Sequence, residues 1–177
     1  MMFQRVWGMP TSDTLSCLPI ADWVQKYTAQ AKCVVDVFAR DSMVGHWRND
    51  LNPATKAEYH MDALDFLKML IEKSVQPDLV IFDPPYSPTQ MQRSYQDIGK
   101  TLESCELWRT GRWSQERALI DSLCGQGTHV LSFGWNSTGM GKLRGWKIVD
   151  GLLVNHGSGH NDTICVAERK DEERLFQ

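Results

Sequence analysis

The run Leu79-Val80-Ile81-Phe82-Asp83-Pro84-Pro85-Tyr86 constrains this chain more than any other part of its 177 residues. Four apolar residues lead straight into an acid and two prolines. They read as a short strand buried on both faces, as in a parallel sheet. Proline has no N–H for a ladder, so the strand must stop at Asp83. Asp83 therefore falls at the carboxyl end of a central strand, the edge where open α/β sheets bind ligands. The carbonyls of Asp83 and Pro84 have no amide hydrogen following them, which leaves a rigid edge of free oxygens beside a carboxylate. Tyr86 adds a flat ring. Such an edge suits a planar ligand bearing an amino group, with N–H hydrogens on the oxygens and the ring stacked on its face. A strand end with a turn-forming Asp is the plainer alternative. All four residues directly after a buried strand favour the ligand reading.

The rest of the chain repeats this rhythm. Residues 1–18 are mixed and turn-rich and are expected to form a loop lying on the domain. Pro19 to Ala29 reads as a helix, with Pro19 in its first turn and Ile20, Trp23, Val24 and Tyr27 on one face. Cys33 to Phe38 is a Val-rich buried strand with Asp36 near its end. Trp47 to Pro53 is a second extended segment ending in an acid. Asp62 is a good N-cap for a helix that buries Leu64, Leu67, Met69 and Leu70 or Ile71. Alternating β and α units of this length imply a parallel sheet with right-handed crossovers, and they line up acids along one rim. An acid there can accept the hydroxyls of a ribose, and another can accept an adenine amino group.

The Asp-Pro-Pro-Tyr run resembles motif IV of the S-adenosylmethionine-dependent amino-methyltransferases, above all the N6-adenine DNA methyltransferases. The similarity extends over roughly residues 4–170. Val34 to Ser42 looks like the family's motif I, Asn49 to Pro53 like motif II, and His60 to Leu67 like motif III. In overall pattern the chain most resembles the small adenine-methylase-like proteins carried by phages and prophages. The resemblance implies that Asp83, Pro84, Pro85 and Tyr86 hold a flipped-out base and carry catalysis. It implies that Asp36, Asp50 and Asp62 contact the amino group, ribose and adenine of S-adenosylmethionine, with Phe38, Ala39, Leu51 and Ala63 beside them. Trp7, Met9 and Pro10 resemble the segment lining the methionine end of that cofactor. One departure stands out. The family's Asp-x-Phe-x-Gly-x-Gly is here Asp36-Val37-Phe38-Ala39-Arg40-Asp41-Ser42, without either glycine. A non-catalytic protein of the same fold that binds a nucleic acid or protein therefore stays open beside the enzyme, as does a methyltransferase acting on cytosine or RNA amino groups.

Residues 87–127 begin as a polar, flexible stretch in which Arg93, Arg109, Arg112 and Arg117 alternate with Tyr95, Trp108 and Trp113. That mixture fits phosphate contact with base stacking, or equally a solvated helix pair with two core tryptophans. Its place after Tyr86 favours substrate contact through Arg93, Arg109, Arg112 and Trp113. Trp113 to Leu123 reads as a helix, and Thr128 to Phe133 as a strand. The Gly-rich loop that follows brings Trp135 and Asn136 to the same rim as further substrate contacts. Trp146 to Asn155 and Thr163 to Glu168 read as a closing antiparallel hairpin.

The fold expected is thus a single Rossmann-like α/β methyltransferase domain over residues 1–170. It has a mostly parallel seven-stranded sheet with a C-terminal antiparallel hairpin and helices on both faces. The cofactor half spans about residues 1–75 and the catalytic half about 76–170, followed by a charged tail at 171–177. A net charge of −3 excludes a bulk polycation, so binding of DNA, or alternatively RNA, must use a local basic face. The five cysteines and five histidines show no ligand spacing, so no metal is expected. Reduced thiols in the cytoplasm, which the resemblance to phage and prophage proteins implies is that of a bacterial host, are the expectation. No segment has the length of a membrane span or the architecture of a signal peptide. Oligomeric state is not legible.

Overall fold

The computed structural model describes residues 2–101, 113–141, 145–157 and 159–171. Seven strands form one sheet: β1 (Met2–Trp7), β2 (Val34–Asp36), β3 (Trp47–Arg48), β4 (Leu79–Phe82), β5 (His129–Gly134), β6 (Trp146–Asn155) and β7 (Thr163–Lys170). Their spatial order is β1-β6-β7-β5-β4-β2-β3. All pairings are parallel except those of β7, which runs antiparallel to both β5 and β6. This is the mostly parallel sheet with a closing hairpin that the sequence predicts, and its architecture is Rossmann-like.

β4 is central in every sense. It pairs with β2 on one edge and β5 on the other, and all four of its residues are buried. Alternation splits its side chains between two cores. Val80 and Phe82 join Val35 and Val130 under helices α2 (Ala63–Glu72) and α4 (Ser114–Leu123). Leu79 and Ile81 join Val34, Leu131 and Leu152 under helix α1 (Leu18–Thr28). The sheet is therefore covered by helices on both faces. The strand order turns back between β2 and β4, so the crevice beyond their carboxyl ends is the topological switch point where ligands bind in open α/β sheets.

Three local expectations are corrected. Residues 2–7 are not a loop but the edge strand β1, in parallel register with residues 150–155 of β6. A parallel partner so distant in sequence leaves no local turn or hairpin signal. Gly8 lets the chain leave the strand, because a Cβ there would sit 2.8 Å from Val154 Cγ1 and 2.9 Å from Cys17 Sγ. The stretch after Tyr86 is not flexible but opens helix α3 (Pro88–Gln96). Ser87 Oγ accepts the Gln90 N–H at 3.2 Å, and Gln90 Oε1 reaches back to the Tyr86 N–H at 2.6 Å. With Pro88 in the first turn, this capping arrangement starts a helix whose apolar content is otherwise too low to announce it. In α2 the fully buried residues are Phe66, Leu67 and Leu70, while Leu64, Met69 and Ile71 are only half-buried. Asp62 does cap this helix, accepting the Leu64 N–H at 2.9 Å.

Phe66 is wholly buried, and its ring lies 5.5 Å from that of Tyr59. Phe66→Ala should therefore cost about 3–5 kcal/mol by leaving a cavity beneath the sheet. Urea unfolding measures this, and a loss under about 1 kcal/mol would mean that α2 is seated elsewhere.

Candidate active site

Asp83 leaves β4 beside buried Pro84, with Pro85 and Tyr86 turning the chain toward α3. The Tyr86 hydroxyl donates to Asp83 Oδ1 and lies 3.1 Å from Thr14 Oγ1. The Tyr86 ring meets Trp135 edge-on at 5.9 Å. A cavity of about 660 Å³ opens in front of these residues, within the range of small-molecule sites. Asp83, Pro84, Pro85 and Tyr86 line it together with Asp50, Leu51, Asn52, Asp62 and Ala63.

Asn49 holds the far side of the rim in place. Its amide Nδ2 donates to Val37 O at 3.2 Å and Met61 O at 3.1 Å, and its Oδ1 accepts the Met61 N–H at 3.2 Å. One side chain thereby joins the segment after β2 to the segment that enters α2. Asp50 sits next to it, accepting the Asn52 N–H at 2.8 Å and the Arg40 N–H at 3.1 Å. Arg40 has φ 47°, a left-handed backbone that favours glycine. It stands where the resembling family has its first glycine, so the chain keeps a glycine-type turn with an arginine in it.

Three acids at this end of the sheet, Asp36, Asp50 and Asp83, are held above their ordinary values. Burial pushes the Asp83 carboxyl up to about 6, while hydrogen bonds from Tyr86 and Thr14 and the charge of Arg40 act in the opposite direction. Asp36 is completely buried on β2, and burial together with the charge of Asp83 pushes it up to about 8. Its Oδ1 accepts the Phe38 N–H at 3.3 Å, and its Oδ2 has no partner among the described residues. Burial also raises Asp50, against the pull of the Asn52 and Arg40 amides. Among the residues lining the cavity are Asp41, Asp50, Asp62, Asp83, Asp97 and Glu116 against Arg40 and Arg93, so the space favours a cation.

The sequence-predicted residues divide clearly. Phe38, Asp50, Leu51, Asp62, Ala63, Asp83, Pro84, Pro85, Tyr86, Arg93 and Trp113 all line the one cavity. Asp36 and Ala39 are buried beneath the rim and do not line it, a correction to a direct ligand contact for Asp36. Trp7 and Met9 are exposed and, with Pro10, stand away from the cavity, because β1 lies at the far edge of the sheet. Ser12 and Thr14, a few residues later, line the cavity. Trp135 and Asn136 are exposed outside the cavity, Trp135 touching it only through Tyr86. Arg109, Arg112 and the tail from residue 172 lie outside the described residues. Sequence reasoning missed Thr14, Asn49, Gln90 and Glu116. Of these only Gln90 carried a local signal, as the fourth residue of Ser87-Pro88-Thr89-Gln90.

Two solved structures align with this chain. The Escherichia coli protein yhhF, provisionally named a methyltransferase, superposes with a TM-score of 0.51 at 13% identity, over 94% of this chain and 92% of that one. A Haemophilus influenzae protein provisionally named a methylase gives 0.42 at 12% identity, over 93% and 92% of the two chains. The first of these shows a shared fold. No protein-family model and no curated protein matches the chain.

The buried Asp36 carboxyl makes a pH signature. A carboxyl whose folded-state pKa lies above its unfolded value binds its proton more tightly in the fold. Its stabilising contribution is therefore full below an ordinary value of 3.8 and is lost as pH rises through about 8. Asp36→Asn keeps the shape without the charge. It should match wild type near pH 4 and exceed it by on the order of 2–5 kcal/mol above pH 8. Denaturant melts across that range decide it, and parallel curves would show that Asp36 ionises freely.

Proposed function

We propose that this chain transfers a methyl group from S-adenosylmethionine to the exocyclic amino group of adenine in DNA. The observation that carries the reading is the single cavity holding Asp83-Pro84-Pro85-Tyr86 at the switch point beside Asp50 and Asp62. The residues present fit such a cofactor. Asp50 and Asp62 offer acceptors for a ribose and an adenine, Leu51 and Phe38 offer apolar walls, and the acidic excess suits a sulfonium-bearing cation. The glycine-type backbone at Arg40 supports the same conclusion where the sequence departs from the family pattern. When bound, the cofactor supplies an electrophilic methyl group on sulfur.

The work of the chain is orientation and charge. The amino lone pair of adenine is delocalised into its ring and is a poor nucleophile. N–H hydrogen bonds to Asp83 and to the Pro84 carbonyl localise electron density on nitrogen. Asp83 also stabilises the positive charge that grows there as the methyl arrives. Pro84 and Pro85 keep these acceptors fixed, so alignment is built in before the substrate arrives. Tyr86 stacks on the base, which must leave the duplex to reach this depth. Phosphates meet Arg93 of α3 at the cavity wall, with Arg109 and Arg112 nearby in sequence. A second reading, an amino group on cytosine or RNA, uses the same four residues, and nucleoside mass spectrometry after incubation with each polymer separates the products.

Asp83→Asn removes the charge and keeps the shape. It should slow turnover by about two orders of magnitude or more, equivalent to roughly 3 kcal/mol, while cofactor affinity changes little. Wild-type turnover should also fall as pH drops below about 6, where Asp83 takes up its proton. Methylation by Asp83→Asn at the wild-type rate would falsify this mechanism.

Asp50→Ala should instead weaken binding of the cofactor by about 1.5–3 kcal/mol, the value of a charge-assisted hydrogen bond. Calorimetry measures this loss. A wild-type protein silent at millimolar cofactor would favour a non-catalytic binding role for the fold.

A further inference from the structure

Arg40 does more than occupy a glycine's backbone position. Its Nη1 donates to Ser12 O at 2.9 Å, and its Nε lies 2.9 Å from Asp13 Oδ1. Both partners belong to the segment between β1 and α1, far from Arg40 in sequence. That segment is a compact turn in its own right. Asp13 O accepts Thr11 Oγ1 and Ser16 Oγ at 2.7 Å each, and the Ser16 N–H at 3.0 Å. Ser12 and Thr14 form part of the cavity wall. A guanidinium with two contacts on one turn therefore ties that turn across the cavity.

The consequence reaches Asp83. The single Tyr86 hydroxyl hydrogen is donated to Asp83, so the Tyr86 oxygen is left as an acceptor. Thr14 Oγ1 lies 3.1 Å away, and its one hydrogen serves either this oxygen or the Asp83 carboxyl, so a single hydroxyl braces both groups. We propose that Arg40 is a latch that straps the Ser12–Thr14 turn over the cavity, and that Thr14 is thereby a positioning residue for Tyr86 and Asp83. The Arg40 side chain is 58% exposed and that of Asp13 35%, so the pair is screened and weak enough to open for a ligand. The part of this inference that concerns turnover rests on the methyl-transfer reading; the latch itself does not.

Amide hydrogen exchange read by mass spectrometry tests the latch without any ligand. Arg40→Gln keeps the left-handed backbone demand unchanged and removes the charge and the fork. Peptides covering residues 11–17 should exchange roughly three- to tenfold faster, with α2 unchanged. Asp13→Asn removes the same pair from the other side and should give the same local result, which covers a failure of Arg40→Gln to fold. Unchanged exchange over residues 11–17 in both variants overturns the latch. For Thr14, Thr14→Val should lower kcat roughly tenfold at unaltered cofactor Kd, and Thr14→Ser should restore it. Wild-type turnover in Thr14→Val, or no rescue by serine, overturns the positioning role. A wild type that methylates no nucleic acid sinks the functional reading instead, and the exchange result still decides the latch.

Discussion

The site depends on a strand that is fully paired and then abruptly denied another amide hydrogen. β4 has partners on both edges and cores on both faces, so its position is fixed from every side. Two consecutive prolines then remove the donors that would carry the ladder onward. The carbonyls of Asp83 and Pro84 are thereby followed by no amide hydrogen, a property of covalent structure rather than of a flexible loop. Rigidity at this point costs nothing in ordering when a substrate binds, because neither proline had much freedom to lose.

The same edge concentrates carboxylates in poorly solvated surroundings. Asp36 and Asp83 repel each other across adjacent strands, and the fold tolerates this by leaving Asp36 with a raised proton affinity. Asp83 is treated differently. Two hydroxyls and one guanidinium offset its burial, which keeps it ionised at neutral pH at the mouth of the cavity. Burial raises both acids, Asp36 further than Asp83, because hydroxyl donors and a guanidinium counter the burial of Asp83 while the charge of Asp83 adds to that of Asp36. This difference is what a site needs when it must present a single negative charge to a growing positive one.

How far the sequence could be read follows from the range of each interaction. Strands β2 and β4, helix α1 and the Asp62 cap are set by near neighbours, and their patterns are plain in the chain. Asp50, Asp62, Asp83 and Tyr86, which the chain presents beside strand ends or helix starts, line the cavity. Thr14 was not legible, because its role is created by Tyr86, which arrives from another element altogether. Asn49 looked like an ordinary polar residue, since its three bonds run to backbone groups that only the folded chain gathers. Trp7 and Met9 misled for a related reason. Aromatic and thioether side chains near a turn-rich start invite a binding role, whereas a parallel edge strand places Trp7 on an open sheet margin and Met9 is exposed just beyond it.

That edge strand also bears on how the molecule is made. β1 precedes β6, its partner, by most of the sequence, and no other strand pairs with it. On the ribosome, residues 2–7 leave the exit tunnel long before residues 150–155 exist to receive them. Until then Phe3 and Trp7 travel on an unpaired segment, the kind of surface that chaperones hold. Closing so long a loop costs more entropy than closing the loops that join β2, β4 and β5. The Ser12–Thr14 turn hangs directly from this strand. Completion of the cavity wall is thereby tied to synthesis of the last third of the chain, and a nascent polypeptide carries its Asp-Pro-Pro-Tyr edge for some time before it carries a finished pocket.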